Sequence, residues 1–121
     1  MTTGARRRAL VVEDEATVAM LLEDMLVDLG HEVVAIASKF ETAAELVARG
    51  DFDFAVLDVN LNGRHSYDLA RALKDCGIPF LFVTGYGPAG LRADWKDASV
   101  LQKPFRLQQL RDMIAALKPC A

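Results

Sequence analysis

Polar residues capable of phosphate chemistry stand at the ends of short apolar runs in this sequence. Glu13 and Asp14 follow the run Ala9-Val12, and Asp58 follows Phe54-Leu57. Thr84 follows Phe80-Val83, and Lys103 follows Val100-Leu101 with Pro104 directly behind it. Carboxylates gathered at one place raise each other's pKa unless a cation neutralises them. Hard oxygen donors suit Mg²⁺ or Mn²⁺ better than zinc, and no histidine or cysteine is spaced to compete as a ligand. Asp14 and Asp58 are expected to bind such an ion directly, and Glu13 directly or through water. An aspartate carboxylate can also act as a nucleophile and form an acyl phosphate, and the central Asp58 is the candidate. Lys103 would supply a point charge for phosphate oxygens, and the Thr84 hydroxyl a hydrogen bond. Phosphoryl transfer asks for little beyond such positioning and charge neutralisation. Singly, each residue has a plainer reading: a solvated strand end, a loop lysine, or acids (Asp14, Glu15) complementing a helix N-terminus. The ordered combination is what suggests a site.

Elements of two kinds must place these side chains. Five apolar runs, Ala9-Val12, Val33-Ala37, Phe54-Leu57, Phe80-Val83 and Val100-Leu101, mostly lack polar alternation, as strands covered on both faces do. Helical periodicity fills the intervals. Val18, Leu21, Leu22, Met25, Leu26 and Leu29 form one stripe, closed by Gly30. Phe40, Ala43, Ala44 and Val47 form a second, closed by Gly50. Leu69, Leu73 and Cys76 form a third, with Ser66 as a plausible N-cap. The fourth is weak, marked only by Leu91 and Trp95, and Leu107, Leu110, Ile114 and Leu117 make a clear fifth. Alternation of this kind predicts an α/β fold in which a parallel sheet is joined by right-handed helical crossovers. Ligands of such sheets bind outside the carboxyl ends of the strands, where the candidate residues fall.

Composition narrows the function classes. A chain of 121 residues fits one domain, with no output domain expected. Its net charge of -3 argues against direct nucleic-acid binding. Cys76 and Cys120 show no metal spacing and read as reduced thiols. Arg6, Arg7 and Arg8 precede an apolar run too short for a signal peptide, and no stretch is long enough to span a bilayer. The expectation is a cytoplasmic protein with no membrane partner.

The segments "VVEDE", "AVLDVNL", "FLFVTGYG" and "LQKPF", in that order, resemble the receiver domain of two-component response regulators (CheY-like), over essentially the whole chain. The resemblance implies a flavodoxin-like, doubly wound (βα)5 fold with a five-stranded parallel sheet of order 2-1-3-4-5. It implies Glu13 and Asp14 as the acid pair, Asp58 as the phosphoacceptor, Thr84 as the hydroxyl switch residue and Lys103 as the phosphate-contacting lysine. The Asn60 backbone carbonyl would complete the Mg²⁺ (or Mn²⁺) ligands, and the Lys103-Pro104 bond would be cis. Its partners would be a sensor histidine kinase or histidine phosphotransfer protein and a downstream protein target. The domain would phosphorylate and dephosphorylate itself without being a turnover enzyme.

Some residues depart from the family pattern. Val100 occupies the usual aromatic switch position. The segment Phe82-Val83-Thr84-Gly85-Tyr86-Gly87 is similar to that of the subgroup named for a "FATGUY" motif, often single-domain proteins. Tyr86 reads either as a replacement switch or as a tyrosine on a flexible loop. The loop Asn62-Gly63-Arg64-His65 lacks the family's proline; His65 reads as a solvated loop histidine near the site, and His31 as lying in a loop after the first helix, away from it. Two rival functions stand beside the signalling one: a phosphate-independent binding module, and an aspartyl-phosphate phosphatase of the haloacid-dehalogenase type. The latter wants an aspartate where Asn60 stands.

Overall fold

The computed structural model describes residues 6–85 and 91–117. Uninterrupted apolar runs form the five strands of the main sheet: β1 (Arg8–Val12), β2 (Glu32–Ala37), β3 (Phe54–Asp58), β6 (Phe80–Thr84) and β7 (Val100–Gln102). A two-residue pair, β4 (Asn60–Leu61) and β5 (Arg64–His65), makes a small antiparallel hairpin. The helices are α1 (Ala16–Asp28), α2 (Phe40–Arg49), α3 (Tyr67–Asp75) and α4 (Leu107–Ala116). The sheet order is β2-β1-β3-β6-β7, all parallel, which is the expected order of five strands.

Alternate residues of each strand serve opposite faces. Leu10, Val12, Ala55, Leu57 and Phe82 pack against Ala43 and Val47 of α2, Leu69 and Leu73 of α3, and Trp95. Ala9, Val11, Phe54, Val56, Leu81 and Val83 pack against Leu22 and Leu26 of α1 and Leu110 and Ile114 of α4. Both faces are therefore dry, which explains strands without polar alternation. Each fully buried Leu, Val or Phe contributes about 1.5–3 kcal/mol of hydrophobic free energy.

Helix ends follow local chemistry. Gly50 caps α2 in the left-handed conformation, φ 67°, and Gly30 turns the chain after α1 at φ 89°. Several stripes are narrower than the periodicity suggests. Leu21, Cys76 and Leu107 belong to the apolar spacing but are exposed. The fourth helical stretch is, among the described residues, one turn of 3-10 helix at Ala93–Trp95. Apolar positions are too few to bury a longer helix: of the described residues 91–97, Leu91 and Trp95 are the buried ones. Ser66 does stand at the N-cap of α3, but its side chain caps nothing. Its hydroxyl donates instead to the Asp58 backbone carbonyl, 2.7 Å away.

Candidate functional site

Sheet register brings the polar strand ends together. Val12 pairs with Leu57, so Glu13 and Asp14 leave β1 beside Asp58 on β3. Asp58 pairs with Val83, and Thr84 with Gln102, so Lys103 emerges next to Thr84. Two backbone bonds fix these exits. Glu13 N–H donates to the Ala37 carbonyl at 3.0 Å, and Lys103 N–H to the Thr84 carbonyl at 2.8 Å. The peptide bond between Lys103 and Pro104 is cis.

The strand ends surround an open cleft of about 600 Å³. Asp14, Glu15, Asp58, Asn60, Thr84 and Lys103 line it, and Asn62, Gly63 and His65 of the hairpin border it. It lies where β1 and β3 diverge to opposite sides of the sheet, the switch point at which open α/β sheets bind ligands.

Four charged groups dominate this cleft. Carboxylate oxygens of Glu13, Asp14 and Asp58 lie within 4.8 Å of one another. The Lys103 ammonium stands 3.2 Å from Glu13 Oε1, 3.5 Å from Asp58 Oδ2 and 3.7 Å from Glu15 Oε1. Glu13 is only 1% exposed. Its Oε2 accepts the Glu15 N–H at 3.1 Å, while its buried Oε1 has the lysine charge nearby but no hydrogen bond. Asp58 is buried too, and its Oδ1 accepts the Asn60 N–H at 3.3 Å.

Burial, then the adjoining Asp58 carboxyl, pushes the Glu13 carboxyl up to about 7. Burial also raises Asp58, against the pull of Glu13, Lys103 and the Asn60 N–H. Burial works to lower Lys103, but Asp58 and Glu13 outweigh it and hold the ammonium above its ordinary value. Glu13, Glu15 and Asp58 share the one lysine and Asp14 adds a fourth carboxyl, so negative charge is left uncompensated. Hard oxygen donors with such an excess of charge fit a divalent cation of the Mg²⁺ or Mn²⁺ kind, and Glu13, Asp14 and Asp58 are close enough together to hold one.

Residues 9–115 match the family model described as the response regulator receiver domain. The chain belongs to the response regulator receiver family. It is 32% identical over 114 residues to the chemotaxis protein CheY of Pseudomonas aeruginosa, covering 88% of this chain and 92% of that one. It is 32% identical over 108 residues to the transcriptional regulatory protein PdtaR of Mycobacterium tuberculosis, covering 86% of this chain. The chain spans 24% of the length of the response regulator FleR of Pseudomonas aeruginosa and 53% of PdtaR. Among solved structures, SdrG from Sphingomonas melonis Fr1 superposes with a TM-score of 0.84 at 38% identity, covering 94% of this chain and 98% of that chain. The receiver domain of Erythrobacter litoralis PhyR gives 0.80 at 28% identity, covering 92% and 88%.

This receiver domain thus brings Glu13, Asp14, Asp58, Asn60, Thr84 and Lys103 to one cleft, while Tyr86 lies outside the described residues. Val100, at the position of the usual switch aromatic, is a half-buried aliphatic opposite Phe82. The loop after Asp58 is a hairpin, and His65 on it is exposed, as expected, while also bordering the cleft. The dipeptide Asn62-Gly63 was the available signal, since Asn-Gly is the strongest short hairpin cue. Glu15 joins the lysine's partners, and Ser66 anchors the Asp58 backbone. Neither follows from spacing, because both depend on how the chain turns after a strand. Among the described residues, no helix is long and apolar enough to cross a membrane.

Proposed function

We propose that this receiver domain takes a phosphoryl group onto Asp58 from a phosphohistidine. The donor would be a sensor histidine kinase or a histidine phosphotransfer protein. The observation that carries this reading is the Lys103 ammonium, 3.5 Å from the Asp58 carboxylate at the mouth of a cleft lined by acids. An Asp58 oxygen attacks phosphorus in line as the nitrogen–phosphorus bond breaks. The leaving imidazole nitrogen keeps the bonding pair and takes a proton. Lys103 turns from the carboxylate toward the phosphoryl oxygens, and the Thr84 hydroxyl donates to the same group.

Glu13, Asp14 and Asp58, with the Asn60 carbonyl, would hold Mg²⁺ or Mn²⁺. Bound there, the ion neutralises charge on the carboxylates and on the incoming phosphoryl oxygens. Water later attacks the phosphorus, the bond to the Asp58 oxygen breaks and inorganic phosphate leaves, so the domain resets itself without turning over a substrate of its own. The added charge biases the surface around the β6–β7 connection, and a protein target reads the difference. Asn60 in place of a general-acid aspartate speaks against a phosphatase, and the assembled acid–lysine cleft speaks against a phosphate-independent module.

Incubation with acetyl phosphate, with and without Mg²⁺, tests the reading by intact mass. A Mg²⁺-dependent gain of one phosphoryl group is expected, and Asp58→Asn should abolish it. Failure of folded, metal-bound protein to gain mass would overturn autonomous phosphorylation.

A further inference from the structure

The family's usual switch ring is missing at Val100, yet an aromatic column runs from the cleft into the core. His65, at the cleft border, stacks on Tyr67 with centroids 5.5 Å apart and planes at 29°. Tyr67 is buried at the start of α3. Its ring lies near-parallel to Trp95, 6.1 Å away at 14°, and edge-on to Phe82 at 5.8 Å. The Tyr67 hydroxyl accepts the Arg92 N–H at 3.0 Å, and the Arg92 guanidinium sits 4.3 Å from the same ring's centre. One side chain therefore touches both a wall of the cleft and the Arg92–Trp95 turn, where the chain returns after leaving the cleft at Thr84.

We propose that Tyr67 is a positioning residue that couples occupation of the cleft to the seat of the Arg92–Trp95 turn. The inference rests on the phosphoacceptor reading of Asp58. A phosphoryl group adds strong acceptor oxygens near the cleft border, and an imidazole drawn to them leaves the face of Tyr67. Tyr67 then re-seats among Phe82 and Trp95, and its hydroxyl carries the Arg92 backbone with it. Among the described residues the buried Trp95 indole N–H has no acceptor, so ring packing against Tyr67, Phe80 and Phe82, and not a hydrogen bond of the indole, sets its present position. Arg92 and Asp94, ion-paired at 3.1 Å and exposed, stand on the turn and would present the change to a partner.

Trp95 is the chain's single tryptophan, so its emission reports this turn alone. The probe is beryllofluoride with Mg²⁺, and acetyl phosphate uptake by intact mass is read in parallel. Wild type should change emission on adding beryllofluoride. Tyr67→Phe keeps the ring but loses the tie to Arg92, and should take up phosphoryl groups while losing the emission change. His65→Ala, at an exposed position that cannot unfold the core, should lose it as well. A normal emission change in both variants would overturn the coupling, as would a silent Trp95 in wild type that does take up phosphoryl groups. Absence of uptake in wild type would instead overturn the phosphoacceptor reading, and this inference with it.

Discussion

Glu13 occupies a poor place for a charge: it is buried, beside Asp58, with one oxygen lacking a hydrogen bond. The folded chain raises this carboxyl from 4.5 to about 7 and so holds its proton more tightly than the unfolded chain does. Its stabilising contribution is therefore complete below about pH 4.5 and is lost as pH rises through about 7, a swing on the order of 3 kcal/mol. Asp58, raised by burial, acts with the same sign. His31, lowered by burial, acts oppositely: its contribution is present above 6.5 and lost as pH falls. Thermal unfolding in EDTA should thus show stability declining between about pH 5 and pH 8, and Glu13→Gln should flatten the decline. An unchanged slope in Glu13→Gln would show that the carboxyl is not the group responsible.

At the scale of elements, the hairpin β4–β5 forms one border of the cleft, and its turn depends on two left-handed residues. Asn62 and Gly63 have φ of 51° and 85°, and the Asn60 side-chain oxygen accepts the Gly63 N–H at 2.7 Å. A Cβ at Gly63 would meet nothing within 4 Å, so Gly63→Ala suffers only from backbone strain. Its expected cost is about 1 kcal/mol in denaturant unfolding, with the hydrogen bond to Asn60 retained. The Asn-Gly pair carries a hairpin signal of its own, which the absence of the family's proline does not cancel. The central strands β1, β3 and β6 were legible because each is an apolar run buried on both faces, the half-buried edge strands β2 and β7 because their runs are still mostly apolar, and the cleft because its residues follow those runs. The fourth helical stretch was faint because, of the described residues 91–97, Leu91 and Trp95 alone are buried. Ser66 could not be assigned from sequence: a serine before a helix reads as a cap, and only the fold shows its hydroxyl on the Asp58 carbonyl.

Across the whole molecule, α1 and α4 cover one face of the sheet and α2 and α3 the other, and the acids stand where the strands end. Their mutual repulsion is spread over β1 and β3, so a cation bound between them should stabilise the entire domain rather than one loop. At a Mg²⁺ concentration near a hundred times its dissociation constant, the gain should be about 2.7 kcal/mol, or roughly 10 °C in Tm. Calorimetry of wild type and Asp14→Asn with and without MgCl₂ checks this. The variant should lose most of the shift, and an equal shift in both would place the ion elsewhere.

The cleft draws on four separate strand ends, and this governs what can be divided. A break at the turn of Gly77, between α3 and β6, would leave Asp14 and Asp58 on one piece and Thr84 and Lys103 on the other. Neither piece would own a cleft, yet the order β2-β1-β3-β6-β7 gives their strands one seam, β3 against β6, with Tyr67 packed on Phe82 and Trp95 across it. Phosphoryl uptake would then record the reunion of two halves, a readout for proximity built into the order of the strands.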